Sequence, residues 1–117
     1  MKSTLIINSK PPYSSLSAKE SQDTSLAFAA FGVPVALLFV GDGIFQLLNN
    51  QQPAPGQKNT AAAVDSYSLY EIDELYVSEA DLMNRGLSLG DLVGNPKAIN
   101  NAEMTALLAR FDNLLTY

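Results

Sequence analysis

Neither cysteine nor histidine occurs among the 117 residues, and tryptophan is missing as well. Without thiols there can be no disulfide, no thiolate metal ligand and no sulfur nucleophile, and without imidazole the commonest metal ligand and general base is gone. Charge is sparse and one-sided: 12 acidic side chains against 7 basic give a formal net charge of -5. Affinity for a phosphate backbone comes largely from Lys and Arg releasing counterions, so this chain alone is not expected to bind nucleic acid directly. Long apolar runs are lacking too. None exceeds the length of residues 35–40, far shorter than the roughly 20 residues a membrane-spanning helix requires. After Lys2 the apolar stretch is only residues 5–7, too little for a signal-peptide core, and the expectation is a cytoplasmic protein with no membrane contact.

What is present is the composition of a folded domain. Hydrophobic residues make up 47% of the chain, and this length suits one core better than two, so residues 1–117 are expected to form a single domain. The run Thr4-Leu-Ile-Ile-Asn8, followed by a polar stretch with two prolines, predicts a buried first strand and its exit loop. Ser17-Ala-Lys-Glu20 has the spacing of a capping box, predicting a first helix from there to about Phe31 with Ala27, Ala30 and Phe31 on its apolar face. Gly32 stands where a left-handed cap is wanted, and Pro34 forbids continuation. Residues 35–40 show no alternation, which suits a central parallel strand covered on both faces.

After that strand, Gly41-Asp-Gly43 permits a sharp turn into the short apolar segment Ile44-Phe-Gln-Leu-Leu48, at the carboxyl end of the sheet where open α/β folds place functional loops. Residues 49–59, rich in Gln, Asn and Pro, read as an exposed loop, and residues 60–70 as a helix with Val64 and Tyr67 on one side. Residues 75–77 predict a brief strand, and Ser78-Glu-Ala-Asp81 opens a short helix that closes at Gly86. A very short strand is expected around Leu92 and Val93. Asn100-Asn-Ala-Glu103 then starts a last helix whose Met104, Leu107, Leu108 and Phe111 share one face, and Leu114 and Leu115 belong to a terminal strand. This alternation predicts a three-layer α/β domain of flavodoxin-like appearance: a mainly parallel sheet of about four or five strands with helices on both faces.

Three patches in order, Leu37-Leu-Phe-Val-Gly-Asp-Gly-Ile-Phe-Gln-Leu-Leu48, Leu69-Tyr-Glu-Ile-Asp73 and Leu82-Met-Asn-Arg-Gly-Leu87, together with the ending Phe111-Asp-Asn-Leu-Leu115, resemble the TusC/DsrF-like family. The resemblance spans nearly the whole chain, and the glycine turn is its most specific part. It implies a DsrE/DsrF-type fold and a place in a heterohexamer of two copies each of three homologous subunits, alongside TusB-like and TusD-like partners. It implies further that the assembly passes persulfide sulfur toward 2-thiolation of the wobble uridine of transfer RNA, with the persulfide cysteine on the TusD-like partner. A chain without a thiol fits a supporting role in that scheme, because thiolate nucleophilicity is what sulfur transfer needs. No catalytic residue, cofactor or metal is expected on this chain.

The candidate partner-interface residues are Asp42, Phe45, Gln46, Leu47, Leu48 and Tyr67, and each has two readings. Asp42 is either a polar contact at a subunit junction or a side chain that satisfies the N–H groups of its own turn. Phe45, Leu47 and Leu48 either form an apolar patch for a homologous chain or cap this domain's own sheet. Tyr67, Tyr70 and Tyr76 are interface or base-stacking anchors, or half-buried tyrosines with a wet hydroxyl. The acidic residues Glu71, Asp73, Glu74, Glu79 and Asp81 read as a solvated face in preference to a metal site. Gly41-Asp-Gly43 lacks the longer glycine pattern and the Lys of a phosphate loop. An alternative function is a free-standing small-molecule-binding domain that uses the loop after Val40 as its pocket.

Overall fold

The computed structural model describes residues 3–12, 16–48, 67 and 69–117. The loop expected at residues 49–59, and all of the helix expected at residues 60–70 except Tyr67, Leu69 and Tyr70, lie outside the described residues. Five strands, β1 (Thr4–Asn8), β2 (Val35–Phe39), β3 (Leu75–Ser78), β4 (Lys97–Ile99) and β5 (Asn113–Thr116), form one sheet in the order β4-β3-β2-β1-β5. Every pairing is parallel. Helices with both ends among the described residues are α1 (Ser17–Ala30), α2 (Glu79–Asn84) and α3 (Asn101–Arg110), with 3-10 turns at Gly41–Leu47 and Leu89–Asp91.

β2 lies at the centre of the sheet, and its unbroken apolar sequence follows from cover on both sides. Leu37 and Phe39 join Ile6, Leu75 and Val77 in a core that also takes Ile44, Leu47, Tyr67, Leu82 and Leu92. Ala36 and Leu38 face the other way, with Leu5 and Ile99, against Leu107 of α3. Each of these large side chains, fully buried, contributes on the order of 1.5–3 kcal/mol. Met104, Leu108 and Phe111 pack around the second core, as their spacing predicts.

Local signals at the helix ends account for most boundaries. Gly32 adopts φ 80, and the Gly32 and Val33 N–H groups donate to the carbonyls of Ala29 (2.9 Å) and Phe28 (3.0 Å), the paired bonds of a Schellman motif. Gly86, at φ 66, closes α2 in the same way, with Gly86 and Leu87 donating to Met83 (3.0 Å) and Leu82 (3.1 Å). The Ser78 hydroxyl accepts from the Asp81 N–H at 3.3 Å, and Asn100 and Glu103 complete a reciprocal capping box at 2.8 and 3.1 Å.

Three expectations are corrected. Ser17 is not the N-cap of α1: Leu16 holds that position, in helical conformation and without a side-chain cap bond, because its carbonyl already accepts from the Glu20 N–H. The face α1 buries is Ala18, Ser21 and Ser25, while Ala27, Ala30 and Phe31 are exposed. Small side chains let the helix approach the sheet closely, and their polar atoms are paired. The fourth strand lies at Lys97–Ile99, and Leu92 contributes instead a single antiparallel bridge to Leu48.

Candidate functional site

The glycine turn after β2 is built by two different demands on its glycines. Gly41 sits at φ +52, a conformation side chains disfavour. Gly43 lies so near the end of β1 that a Cβ there would come within 1.9 Å of the Asn8 carbonyl oxygen. Between them Asp42 points outward and accepts from Arg85 through both Nη2 (3.0 Å) and Nε (3.2 Å). Arg85 also donates from Nη1 to the Asp81 carbonyl at 3.2 Å, and the Asp81 carboxylate accepts the Gly41 N–H at 2.8 Å. The Gly41 N–H of the turn is therefore taken by Asp81, and the carboxylate of Asp42 serves to tie the turn to the end of α2.

Of the six candidate residues, the structure turns three inward. Gln46 is buried and donates from Nε2 to the Lys10 carbonyl at 2.9 Å. Leu47 is in the larger core, and its carbonyl accepts from the Val93 N–H at 2.8 Å. Tyr67 is buried in the same core, where burial, and then the negative charge of Asp23, push its hydroxyl's pKa well up. Asp42 is exposed, and Phe45 and Leu48 are half-buried. The outward surface of this loop is thus made by Asp42, Phe45 and Leu48.

Beneath the turn, at the carboxyl end of β1, a polar pair joins the sheet to α1: the buried Ser21 hydroxyl donates to Asn8 Oδ1. Ser25 donates to the Ser21 carbonyl at 2.7 Å. At the carboxyl ends of β1 and β5, the Ser9 N–H (2.9 Å) and hydroxyl (2.8 Å) both reach the Tyr117 carbonyl, and the Tyr117 hydroxyl meets Thr24 Oγ1 at 2.8 Å. The acidic residues of 71–81 do not converge. Glu74 pairs with Arg110 at 2.7 Å and accepts from the Tyr76 hydroxyl at 2.9 Å, on the far side from Asp81. Among the described residues no group of three or more His, Cys, Asp or Glu gathers as a metal site.

From sequence, Asp81 reads only as a helix-start residue on a solvated acidic face, and Arg85 and Asn8 are given no role of their own. The Asp81–Arg85 spacing of four on a helix was the available signal, but the third member, Asp42, is 43 residues away in sequence. Large apolar side chains also stand out in solvent, among them Leu16, Phe31, Leu69 and Met83.

These features define a class: an all-parallel α/β protein whose loop at the end of the central strand is tightly braced and carries neither thiol nor imidazole. The chain belongs to the DsrE/DsrF-like family, whose model matches residues 2–117. It is 38% identical over 115 residues to a protein of Pseudomonas aeruginosa named "Protein TusC homolog", covering 97% of both chains. It is 33% identical over 107 residues to a protein of the same name from Vibrio vulnificus, covering 91% of both. In three dimensions it is similar to the crystal structure of the YchN protein from E. coli, with a TM-score of 0.86 at 19% identity over 100% of both chains. Among the described residues, no helix is long and apolar enough to cross a membrane.

Proposed function

We propose that this chain is a non-catalytic subunit of a cytoplasmic, heterohexameric sulfur-relay complex, built with TusB-like and TusD-like chains in two copies each. The complex hands persulfide sulfur toward 2-thiolation of the wobble uridine of transfer RNA, and this chain reaches that RNA only through its partners. One observation carries the reading: a match over 97% and 91% of the chain to relatives named as TusC homologs belongs to a chain with no cysteine. Sulfur transfer requires a thiolate to accept and release the persulfide sulfur, and no other side chain here supplies one.

In this reading the braced loop presents Asp42, Phe45 and Leu48 to a homologous chain, while Gln46, Leu47 and Tyr67 hold its shape from below. Exposed Phe31 and Met83 add apolar surface of the kind that chains in permanent assemblies bury. The alternative, a small-molecule pocket in the loop after Val40, has less support, because Ile44, Gln46 and Leu47 of that loop are themselves packed inward.

The test is co-expression with the genes that neighbour this one, followed by native mass spectrometry and transfer of labelled sulfur. A mixed oligomer in which label resides on a partner and never on this chain is the expected result. Recovery of this chain alone at every salt concentration, or labelled sulfur on the isolated chain, overturns the proposal.

A further inference from the structure

Three helical segments among the described residues end in the same way, and one of them ends on a residue poorly suited to it. α1 closes with Gly32 at φ 80 and α2 with Gly86 at φ 66, and in each the next N–H reaches back five positions, Val33 to Phe28 at 3.0 Å and Leu87 to Leu82 at 3.1 Å. The helical turn that holds Tyr67 and Leu69 repeats the pattern just before β3. There the Ile72 N–H donates to the Tyr67 carbonyl at 2.8 Å, and the residue in the left-handed position is Glu71, at φ 62. Glycine takes that conformation freely, whereas a side chain brings its Cβ against the backbone. Among the described residues every other positive φ belongs to Gly or Asn, the residues that tolerate it.

Charge makes the position worse. The end of a helix where carbonyls are left over carries partial negative charge and favours cations, yet Glu71 places a carboxylate there. The residue is exposed, and among the described residues its side chain forms no ion pair or hydrogen bond. Arg110 pairs with the adjoining Glu74 instead, at 2.7 Å. Beside Glu71, Leu69 keeps 82% of its surface in water and Tyr70 45%. Strain, an unfavourable charge and two exposed large side chains thus fall together on residues 69–71, and no contact among the described residues offsets them. Such a coincidence marks a functional position.

We propose that Glu71 is a partner-binding residue whose carboxylate receives a Lys or Arg side chain of a homologous subunit, with Leu69 and Tyr70 packed around the pair. A cation brought to this point answers both the carboxylate and the leftover carbonyls of the helix end. Apolar side chains around it exclude water and strengthen the attraction. An anionic or purely apolar partner would answer neither charge. The Glu74 carbonyl accepts the Leu37 N–H at 3.0 Å, so this knuckle lies at the amino end of the sheet, whereas the loop after β2 lies at the carboxyl end. The inference rests on the reading of this chain as one subunit of a mixed oligomer, and it adds to that reading a second contact surface and the charge of the group that meets it.

The test compares two variants, first in the isolated chain and then in the mixed oligomer. Glu71→Gly relieves the backbone and removes the charge, while Glu71→Gln removes the charge and keeps the strained backbone. Glu71→Gly should raise the melting temperature of the isolated chain by about 2–5 °C, and Glu71→Gln should raise it by less. In the oligomer formed with co-expressed homologous chains, followed by sedimentation across a dilution series, both should weaken association about 10-fold. The salt dependence of the wild-type association should flatten in both. A more stable chain that binds less well is a result no merely structural role for Glu71 produces. Failure of Glu71→Gly to raise the melting temperature, or association of either variant as tight and as salt-dependent as that of the wild type, overturns the proposal. A wild-type chain that forms no mixed oligomer is failure of the proposed function and removes this contact with it, whereas a mixed oligomer indifferent to both variants sinks this inference alone.

Discussion

Helices α1 and α3 cover opposite faces of one sheet, and they hold it by opposite means. α3 buries Leu107 with Met104, Leu108 and Phe111 around it, against Leu5, Ala36 and Leu38. α1 fully buries only Ala18, Ser21 and Ser25, with Leu26 and Ala29 partly buried against the larger core, and Ser21 donates a hydrogen bond to Asn8 of β1. Their starts differ as well: Asn100 and Glu103 cap α3 reciprocally, whereas Leu16 offers α1 no side-chain bond. An apolar face is stabilised in proportion to the area removed from water. A small polar face depends on close approach and on every buried donor and acceptor finding its partner.

The contrast can be broken at several points. Leu107→Ala should cost about 2–5 kcal/mol, since a leucine buried under a single helix leaves a cavity, and urea unfolding measures it directly. On the α1 side, Gly43→Ala should cost about 1–3 kcal/mol in the same measurement, because the new methyl meets backbone and not a movable side chain. Ser21→Ala is the sharper probe of the polar contact. It keeps the size and removes the donor to buried Asn8, for an expected loss of about 1–3 kcal/mol; no loss would mean that α1 is held by fit alone.

Removing the cap of α3 with Asn100→Ala should lower stability by about 1 kcal/mol, seen as a small fall in urea midpoint with unchanged slope. The smallest effect belongs to Glu74. Burial pushes its carboxyl pKa up, but hydrogen bonds from Arg110 and Tyr76 and the Arg110 charge outweigh it, so the pKa lies below the ordinary 4.5. A lowered carboxyl pKa stabilises the fold above that value and the gain is lost as pH falls through the folded pKa. Thermal melting of the wild type and of Glu74→Gln should therefore differ slightly at pH 7 and converge in acid, the half-exposed pair being screened by solvent.

The same contrast explains what the sequence disclosed. β2, the caps at Ser78 and Asn100, the glycine closures at Gly32 and Gly86, and the face of α3 were all legible, because each depends on neighbours within four or so residues. The face of α1 was misread because Ser21 and Ser25 look like surface residues until Asn8 is brought beside them. β4 escaped notice because three residues starting with a lysine give no period to detect, and the apolar pair Leu92-Val93 drew the strand forward. In the loop after β2, the glycines announced a turn, but whether Gln46 and Leu47 point in or out is decided by Lys10 and Val93, each more than thirty residues away in sequence. The bracing by Asp81 and Arg85 was hidden for the same reason.

β1 is flanked by β2 on one side and by β5 on the other, and the Ser3–Asp112 bond spans 109 positions of chain. A ribosome releases the chain from its N-terminus onward, so β1 and β2 emerge well before β1's remaining neighbour, which lies beyond β3 and β4 in the chain. Closing so long a loop costs only modest additional entropy, but the contact cannot form until β5 has emerged. Until then β1 carries an open flank, and shearing β5 away from the finished fold would return it to that state.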